Sequence, residues 1–150
     1  VRESGAAVVL MHMRGTPRDM QEGDLGYKSL WGEIIGFLAE RIAAGVAAGI
    51  PEERMMIDPG LGFGKTAADN LKLINGLPEC RVLGRPILMG PSRKSFLGTI
   101  TGSGPDDRGE ETAAAVTACI LRGAQVVRVH DVQAMKKVVA VADALRGSGS

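Results

Sequence analysis

The sequence predicts an α/β fold built on a parallel β-sheet. Three observations favour it: short continuous apolar runs, helical periodicity between those runs, and glycine-rich turns where the runs end. Continuous apolar runs are typical of strands buried on both faces, as the strands of parallel sheets are. A strand followed by a helix, repeated four times along the chain, then predicts that the strands pair in parallel.

Each element has its own signal in the sequence. The four apolar runs predicted to be strands are residues 7–13, 55–57, 86–89 and 125–129. Four helices are predicted from apolar residues that share one face: Leu30, Ile34, Phe37, Leu38, Ile42 and Val46 in the first; Leu71 and Ile74 in the second; Ala113, Val116, Ile120 and Leu121 in the third; Val132, Met135, Val139, Ala142 and Leu145 in the last. A capping box from Thr66 to Asp69 predicts the start of the second helix, and Gly123 is placed to end the third.

Four βα units are compatible with two architectures. One is a small, open, doubly wound sheet, and the other is half of an eight-stranded (βα)8 barrel. A complete barrel takes about 250 residues, whereas this chain has 150. The lack of a leader segment before the first strand favours the half-barrel, but periodicity alone leaves both architectures open.

Composition narrows the class of protein. The 18 basic and 17 acidic residues nearly balance, so no electrostatic footprint of a nucleic-acid-binding protein is visible. The two cysteines, Cys80 and Cys119, lie far apart, which predicts reduced thiols in a cytoplasmic protein. No signal peptide or membrane-spanning run is predicted. Glycine is the unusual residue: 21 of 150 is about twice the ordinary share, and most glycines fall where apolar runs end.

Residues that could carry chemistry follow every predicted strand. Active sites of parallel α/β proteins gather at the carboxyl ends of the strands. After the second strand comes Asp58, with a turn in which Gly60, Gly62 and Gly64 surround Phe63; the other strands are followed by His12, Met13 and Arg14, by residues 90–95 (GPSRKS), and by Arg128 and His130. The last two are separated by one residue, so on a strand they point to the same side. Several cations, one carboxylate and one phenyl ring suit a small, anionic, partly aromatic ligand.

Some of these residues have simpler explanations. Asp58, followed by Pro and Gly, could serve only the turn. Lys65 suggests a phosphate-binding P-loop, but that motif requires glycine where Pro59 stands. His12, in a run of Met and Leu, is interpreted as a hydrogen-bonded core histidine rather than a catalyst. Arg128 is harder to explain structurally, because an unpaired guanidinium at the end of a buried strand is costly.

Four motifs, in this order and spacing, resemble the second half of dihydropteroate synthase, the folate-pathway enzyme that sulfonamides inhibit: VVLMHMRGTPRDMQ, DPGLGFGKT, GPSRKSFLG and RVHDV. The resemblance runs from about Val8 to the last helix. It implies a (βα)8 TIM barrel in which residues 1–150 form the C-terminal part of a single pterin-binding domain, with the motifs after strands five to eight. The implied reaction joins 6-hydroxymethyl-7,8-dihydropterin pyrophosphate to para-aminobenzoate, with release of pyrophosphate, and uses Mg²⁺.

The resemblance also implies roles for individual residues. Asp58 would accept hydrogen bonds from the pterin, and Arg128 would stack its flat guanidinium on the pterin ring. Lys94 would reach the pterin and the aminobenzoate side, and His130 would lie beside the pyrophosphate. Lys94, Arg128 and His130 would be the catalytic residues. The remaining implied contacts are Met13 and Gly90 to the pterin, Phe63 to both substrates, and Ser92 to the aminobenzoate.

The family's other half supplies parts that this chain lacks. The metal-binding asparagine would come from there, so no Mg²⁺ ligand is expected among residues 1–150, and full catalysis by this chain alone is not expected. A homodimer, or pairing with an N-terminal half, is the expected assembly. Two alternatives stay open. One is a methyltransferase-like pterin binder that moves a methyl group from methyltetrahydrofolate to a corrinoid, although the sequence SRKS at 92–95 favours the synthase. The other is a half-barrel that binds pterin or a partner half without turnover.

Overall fold

A computed structural model of the chain describes residues 1–15 and 26–148. The last part of the first motif, residues 16–21, therefore lies outside the described residues. The strands are β1 (Val8–Met11), β2 (Met55–Asp58), β3 (Leu88–Met89) and β4 (Val126–Val127). The α-helices are α1 (Leu30–Ala47), α2 (Ala67–Asn75), α3 (Ser95–Thr101), α4 (Gly109–Leu121) and α5 (Val132–Gly147), and short 3-10 helices span Glu52–Arg54 and Leu77–Leu83.

The strands lie side by side in chain order. β1 pairs in parallel with β2, with Met11 opposite Asp58, and β3 pairs in parallel with β4, with Met89 opposite Val127. A parallel bridge between Ile57 and Ile87 joins the two pairs. The order β1-β2-β3-β4 is that of consecutive barrel strands, whereas a doubly wound sheet reverses direction at its switch point. The parallel sheet predicted from the sequence is confirmed.

The main core lies between the sheet and the helices that cover it. Its buried side chains come from every layer, and the completely inaccessible ones include Ile34, Leu38, Ile57, Leu73, Leu77 and Met89. A second cluster joins α4 to α5 through Val116, Ile120, Met135 and Ala142. The thiols of Cys80 and Cys119 are free and buried in the main core. Over the described ranges, no helix is long and apolar enough to cross a membrane.

The expectation of strands buried on both faces holds for β2 but is wrong for the outer strands. Three of the four residues of β2 are buried, whereas Val9 in β1 is 41% exposed and both residues of β4 are partly exposed. The physical reason is position: β2 has a strand on each side, and β1 and β4 are the edges of the described sheet. The strands are also shorter than predicted, so His12 and Met13 follow β1 rather than belonging to it.

The helices differ from prediction in their number and in how far each apolar face is buried. Two helices, α3 and α4, separate β3 from β4, and α3 was not predicted. Five residues assigned to buried faces are instead exposed: Val46, Leu71, Leu121, Val132 and Leu145. Four of them lie near helix ends, beyond the part of each helix that packs on a neighbour. Leu71 lies inside α2, but the buried residues of that helix are Asp69, Asn70, Leu73 and Ile74, so Leu71 is left outside its buried face. The capping box is confirmed, because Thr66 Oγ1 accepts a hydrogen bond from the Asp69 amide and the Asp69 carboxylate accepts one from the Thr66 amide. Gly123 follows α4 with φ of 111°.

Candidate functional site

The glycine-rich turn after β2 packs directly against the chain that follows β1. Gly60 has φ of 76°, and a β-carbon there would collide with the carbonyl oxygen of His12. Gly64 has φ of 64°, and a β-carbon there would lie 2.8 Å from the carbonyl oxygen of Arg14. Only glycine meets both requirements, a left-handed backbone and no side chain. The turn can therefore hold the ends of β1 and β2 together at the carboxyl edge of the sheet.

Asp58 ends β2 and is 8% exposed. Its Oδ1 accepts a hydrogen bond from the Gly60 amide at 2.7 Å, so the turn chemistry that the sequence left open is present. Among the described residues, no hydrogen bond is made to Oδ2. Burial raises the pKa of the Asp58 carboxyl, and the Gly60 amide and the charges of Lys94, Arg128 and Lys65 oppose that rise. One carboxylate oxygen thus shapes the turn, and the other leaves an acceptor for a ligand.

Lys65 and His12 form a buried pair beneath the turn. Lys65 is 3% exposed; its Nζ lies 3.0 Å from His12 Nδ1 and donates to the Phe63 carbonyl, also at 3.0 Å. An ammonium group only donates, so His12 Nδ1 accepts and the imidazole is neutral. Burial and the Lys65 charge lower the pKa of His12 to about 4. Burial lowers the pKa of Lys65 to about 8, against the opposing charges of Asp58 and Asp69.

The pair settles two of the sequence interpretations. His12 is a hydrogen-bonded core histidine, as predicted, and its ring forms a T-shaped contact with that of Phe37, with the ring centroids 5.2 Å apart. For Lys65 the sequence suggests only an incomplete P-loop, and it does not predict the buried position of this lysine next to His12. Its placement directly after the glycine turn is the one local signal that could have drawn attention to it. That the side chain folds back toward β1 follows only from the tertiary contact.

Lys94 and Phe63 meet across the gap between the turns that follow β2 and β3. Lys94 Nζ lies 4.0 Å from the centroid of the Phe63 ring, which is a cation–π contact. The stem of the lysine passes over Gly62, where a β-carbon would lie 3.1 Å from Lys94 Cδ. Burial and the Arg128 charge lower the pKa of Lys94, and Asp58 opposes the shift. The structure therefore brings together one cation and the one aromatic ring of the predicted site.

Ser92 and His130 form a second pair, between the turns that follow β3 and β4. Ser92 is buried, and its Oγ lies 2.9 Å from His130 Nδ1 while accepting a hydrogen bond from the His130 amide at 3.2 Å. Since the hydroxyl accepts from the amide, its own proton is available to Nδ1. That arrangement leaves Nε2 of the exposed His130 ring as the nitrogen that can donate to a ligand.

A groove of about 570 Å³ runs between these last two turns. It is lined by Gly90, Ser92, Arg93, Lys94, Pro105, Asp106, Arg128, Val129 and His130. Arg128 and His130 both line it, as their spacing on the strand predicts. The expectation that Arg128 is buried is wrong: its side chain is exposed, because β4 is an edge of the described sheet.

The remaining predicted residues lie at the same edge but outside the lining of the groove. Asp58 ends β2 and Phe63 follows it, and Met13 follows β1 and is half-buried. Within the described residues, no group of three or more His, Cys, Asp and Glu side chains converges on a point that could hold a metal ion. The arrangement is one carboxylate with several cations around it, which suits an anionic ligand that also carries N–H donors.

The sequence and the structure of this chain are both similar to those of known proteins. The family described as pterin binding enzyme matches residues 1–130. A dihydropteroate synthase from Synechocystis is 44% identical over 142 residues, which cover 93% of this chain and 48% of that protein. The crystal structure of Yersinia pestis dihydropteroate synthase with a sulfonamide drug complex superimposes with a TM-score of 0.94 at 36% identity. The Xanthomonas albilineans enzyme with 4-aminobenzoic acid gives a TM-score of 0.86 at 41% identity.

The share of each relative that this chain matches shows whether the four βα units are half of a barrel or a separate doubly wound sheet. The match to the Yersinia enzyme takes in 98% of this chain and 53% of that one, and the match to the Xanthomonas enzyme 97% and 51%. The chain thus spans about half the length of the relatives it matches, and those relatives are TIM-barrel enzymes. The half-barrel predicted from the sequence is confirmed, and the doubly wound alternative is wrong. The chain belongs to the family of pterin-binding enzymes, and the members that it resembles are dihydropteroate synthases.

Proposed function

We propose that this chain is the C-terminal part of a dihydropteroate synthase barrel and supplies its pterin-binding edge. The proposed reaction joins 6-hydroxymethyl-7,8-dihydropterin pyrophosphate to para-aminobenzoate. The observation that carries the proposal is Asp58: a buried carboxylate at the end of β2, with one oxygen held by the turn and the charges of Lys65, Lys94 and Arg128 acting on it. The relatives compared above are synthases, which supports this reaction over methyl transfer to a corrinoid.

Asp58 would bind the pterin through its second oxygen. The amino and ring N–H groups of a pterin are donors, and a carboxylate is an acceptor with two oxygens in one plane. Burial makes the ionisation of Asp58 costly, and N–H donors of a bound pterin would offset that cost. Arg128 is exposed and free to lay its flat guanidinium on the pterin ring, a contact that lysine could not make as well. Met13 and Gly90 would complete the pterin side.

In the proposed reaction this chain would position the two substrates and stabilise the negative charge on the leaving pyrophosphate. The bond between the methylene carbon and the pyrophosphate oxygen breaks, and its electron pair leaves with pyrophosphate. The arylamine nitrogen then forms the new C–N bond and releases a proton. Lys94, Arg128 and His130 would offset the negative charge that grows on the leaving group. Phe63 and Ser92 would contact the aminobenzoate, so a sulfonamide would compete for that position.

Mg²⁺ and the second half of the barrel belong to the same proposal. The family resemblance implies that the metal would be held by the half that this chain does not span. The partner would be that N-terminal half or a second copy of the chain. Cytoplasmic localisation remains a prediction from the cysteine usage.

The test is a calorimetric titration of the purified chain with the dihydropterin pyrophosphate and Mg²⁺, with Asp58→Ala beside it. We expect saturable binding by the wild type and affinity at least about tenfold lower in the variant, because it lacks the charged acceptor. Asp143→Ala, at an exposed carboxylate on α5, is the control and should bind like the wild type. A folded wild-type chain that does not bind would show that the pterin site needs strands outside this chain.

A measurement of turnover distinguishes the proposed synthase from a half-barrel that binds the pterin without catalysis. Adding a separately expressed N-terminal half to the chain should start the release of pyrophosphate, and the same mixture with Asp58→Ala should release much less. Binding of pterin that persists with no turnover in the reconstituted mixture would favour the non-catalytic alternative.

A further inference from the structure

The loop after β3 contains a backbone conformation that its residue disfavours. Arg93 has φ of 57°, and in the described part of the chain it is the one residue other than glycine with positive φ. Side chains of L-amino acids avoid this left-handed region because the β-carbon crowds the backbone. Such a conformation persists only where the surrounding structure holds it, and these places cluster at functional sites.

Two side chains from the start of α4 hold the Arg93 backbone. The Arg93 amide donates to Thr112 Oγ1 at 3.1 Å, and Thr112 is buried. The Arg93 carbonyl accepts from Arg108 Nη1 at 3.0 Å. Arg108 is itself fixed, because its Nε and Nη2 both donate to the Ser103 carbonyl. Both backbone polar groups of the strained residue are thus bonded to one helix.

The neighbouring helix α3 is shaped to admit the Arg108 guanidinium. Gly98 lies in the middle of α3 and is buried, and a β-carbon there would collide with Arg108 and with the Ser103 carbonyl. Glycine inside a helix costs stability relative to alanine, so a reason for it is expected. The reason visible in this structure is the room it leaves for Arg108.

The residue after Arg93 is the lysine of the candidate site. Lys94 is the N-cap of α3, and its side chain passes over Gly62 to place Nζ 4.0 Å from the Phe63 ring centroid. The conformation of Arg93 sets the direction in which the chain enters Lys94. If Arg93 relaxed to negative φ, the peptide plane between the two residues would turn and Lys94 would start from a different place.

We propose that Arg108 and Thr112 are positioning residues for the pterin site: by holding Arg93 in the left-handed conformation, they place Lys94 over Phe63 and beside Asp58. The proposal rests on the proposed function for its consequence, pterin binding, but its structural step does not need a ligand. Neither residue lines the groove itself, so each would act through the backbone of Arg93.

The first test reads the position of Lys94 without a ligand. Methylene protons of Lys94 above the Phe63 ring should be shifted upfield in the NMR spectrum of the wild type. Thr112→Val, which keeps the shape but loses the hydroxyl, and Arg108→Ala should each move these signals toward their ordinary positions. The matched controls are Thr117→Val, whose hydroxyl bonds only within α4, and Arg122→Ala at the far end of that helix. Unmoved Lys94 signals in folded Thr112→Val and Arg108→Ala would overturn the proposal.

The second test asks whether the two residues act through the strain at Arg93. Glycine adopts positive φ readily, so in the Arg93→Gly background Thr112→Val and Arg108→Ala should change neither the chemical shifts of Lys94 nor the affinity for the pterin appreciably. With Arg93 present, each variant should weaken binding of the dihydropterin pyrophosphate about tenfold. Equal losses with and without Arg93→Gly would show ordinary structural damage and contradict the proposal.

Two further outcomes remain decisive. If Thr112→Val does not fold, Arg108→Lys replaces it as the test variant. Lysine keeps the positive charge but cannot make all of the hydrogen bonds of the guanidinium. The measurement is again the chemical shift of the Lys94 methylene protons. If the wild type folds but does not bind the pterin, the proposed function of the chain alone has failed, and the ligand-free NMR experiment still supports or overturns the role of Arg108 and Thr112.

Discussion

The ammonium group of Lys65 donates a hydrogen bond to the His12 ring, and both side chains are buried. A buried ammonium is costly unless its protons are bonded, and here the acceptors are His12 Nδ1 and the Phe63 carbonyl. The pair ties the segment after β1 to the turn after β2. It also keeps a positive charge near Asp58, where it favours the ionised carboxylate that the proposed site needs.

The neutral state of His12 makes stability depend on pH. Its pKa is about 4 in the folded chain against an ordinary 6.5, so between these values the unfolded state binds more protons. Folding stability from this group is present above pH 6.5 and is lost as the pH falls toward 4. We expect His12→Asn, which keeps an acceptor for Lys65, to lose less unfolding free energy between pH 7.5 and pH 4.5 than the wild type.

Urea unfolding at the two pH values measures that difference. Equal losses in the wild type and in His12→Asn would show that His12 is not held neutral by its surroundings.

The turn after β2 is the element on which the site depends most. We expect Gly60→Ala to reduce the free energy of unfolding by at least about 3 kcal/mol, because the new methyl group meets the His12 backbone as well as straining φ. Gly84→Ala is the matched control: its φ is 62°, but nothing lies within 4 Å of the new methyl group. It should cost about 1 kcal/mol, the strain alone. Denaturant unfolding measures both, and similar losses would show that the close approach to His12 is unimportant.

The helices show which local sequence signals are sufficient to predict an element. The capping box at Thr66 acts within four residues, so it could be predicted without knowledge of the fold. Helix α3 could not, because Gly98 interrupts its seven residues and they carry no clear amphipathic period. Its glycine makes sense only beside Arg108, ten residues further along the chain. The exposure of Leu145 and Val132 likewise depends on where α5 meets α4, which the helical period does not encode.

At the scale of the whole molecule, the described sheet has two open edges. β1 and β4 each pair with one strand, and Val9 exposes 41% of its surface. Unpaired edges and exposed apolar faces promote association with other chains. We therefore expect the isolated chain to associate as its concentration rises, and Val9→Lys to reduce that association by placing a charge on the exposed face of β1.

Sedimentation velocity over a range of concentrations measures this association. Val46→Lys is the control, because Val46 has nearly the same exposure, 44%, but lies on a helix, α1, rather than on an edge strand. If both variants reduce association equally, or neither does, the open face of β1 is not the surface that associates.

The parallel α/β fold, the four βα units, the family, and the edge at which charged residues gather could all be predicted from the amino-acid sequence. Those features follow from periodicities of a few residues and from four ordered motifs, which are properties of the chain read along its length. Four features of the site could not be predicted in this way: the bond between Lys65 and His12, the use of one Asp58 oxygen by the turn, the exposure of Arg128, and the hold of α4 on Arg93. Burial and hydrogen bonding between distant segments depend on which elements become neighbours in the folded chain, and no local pattern in the sequence specifies that.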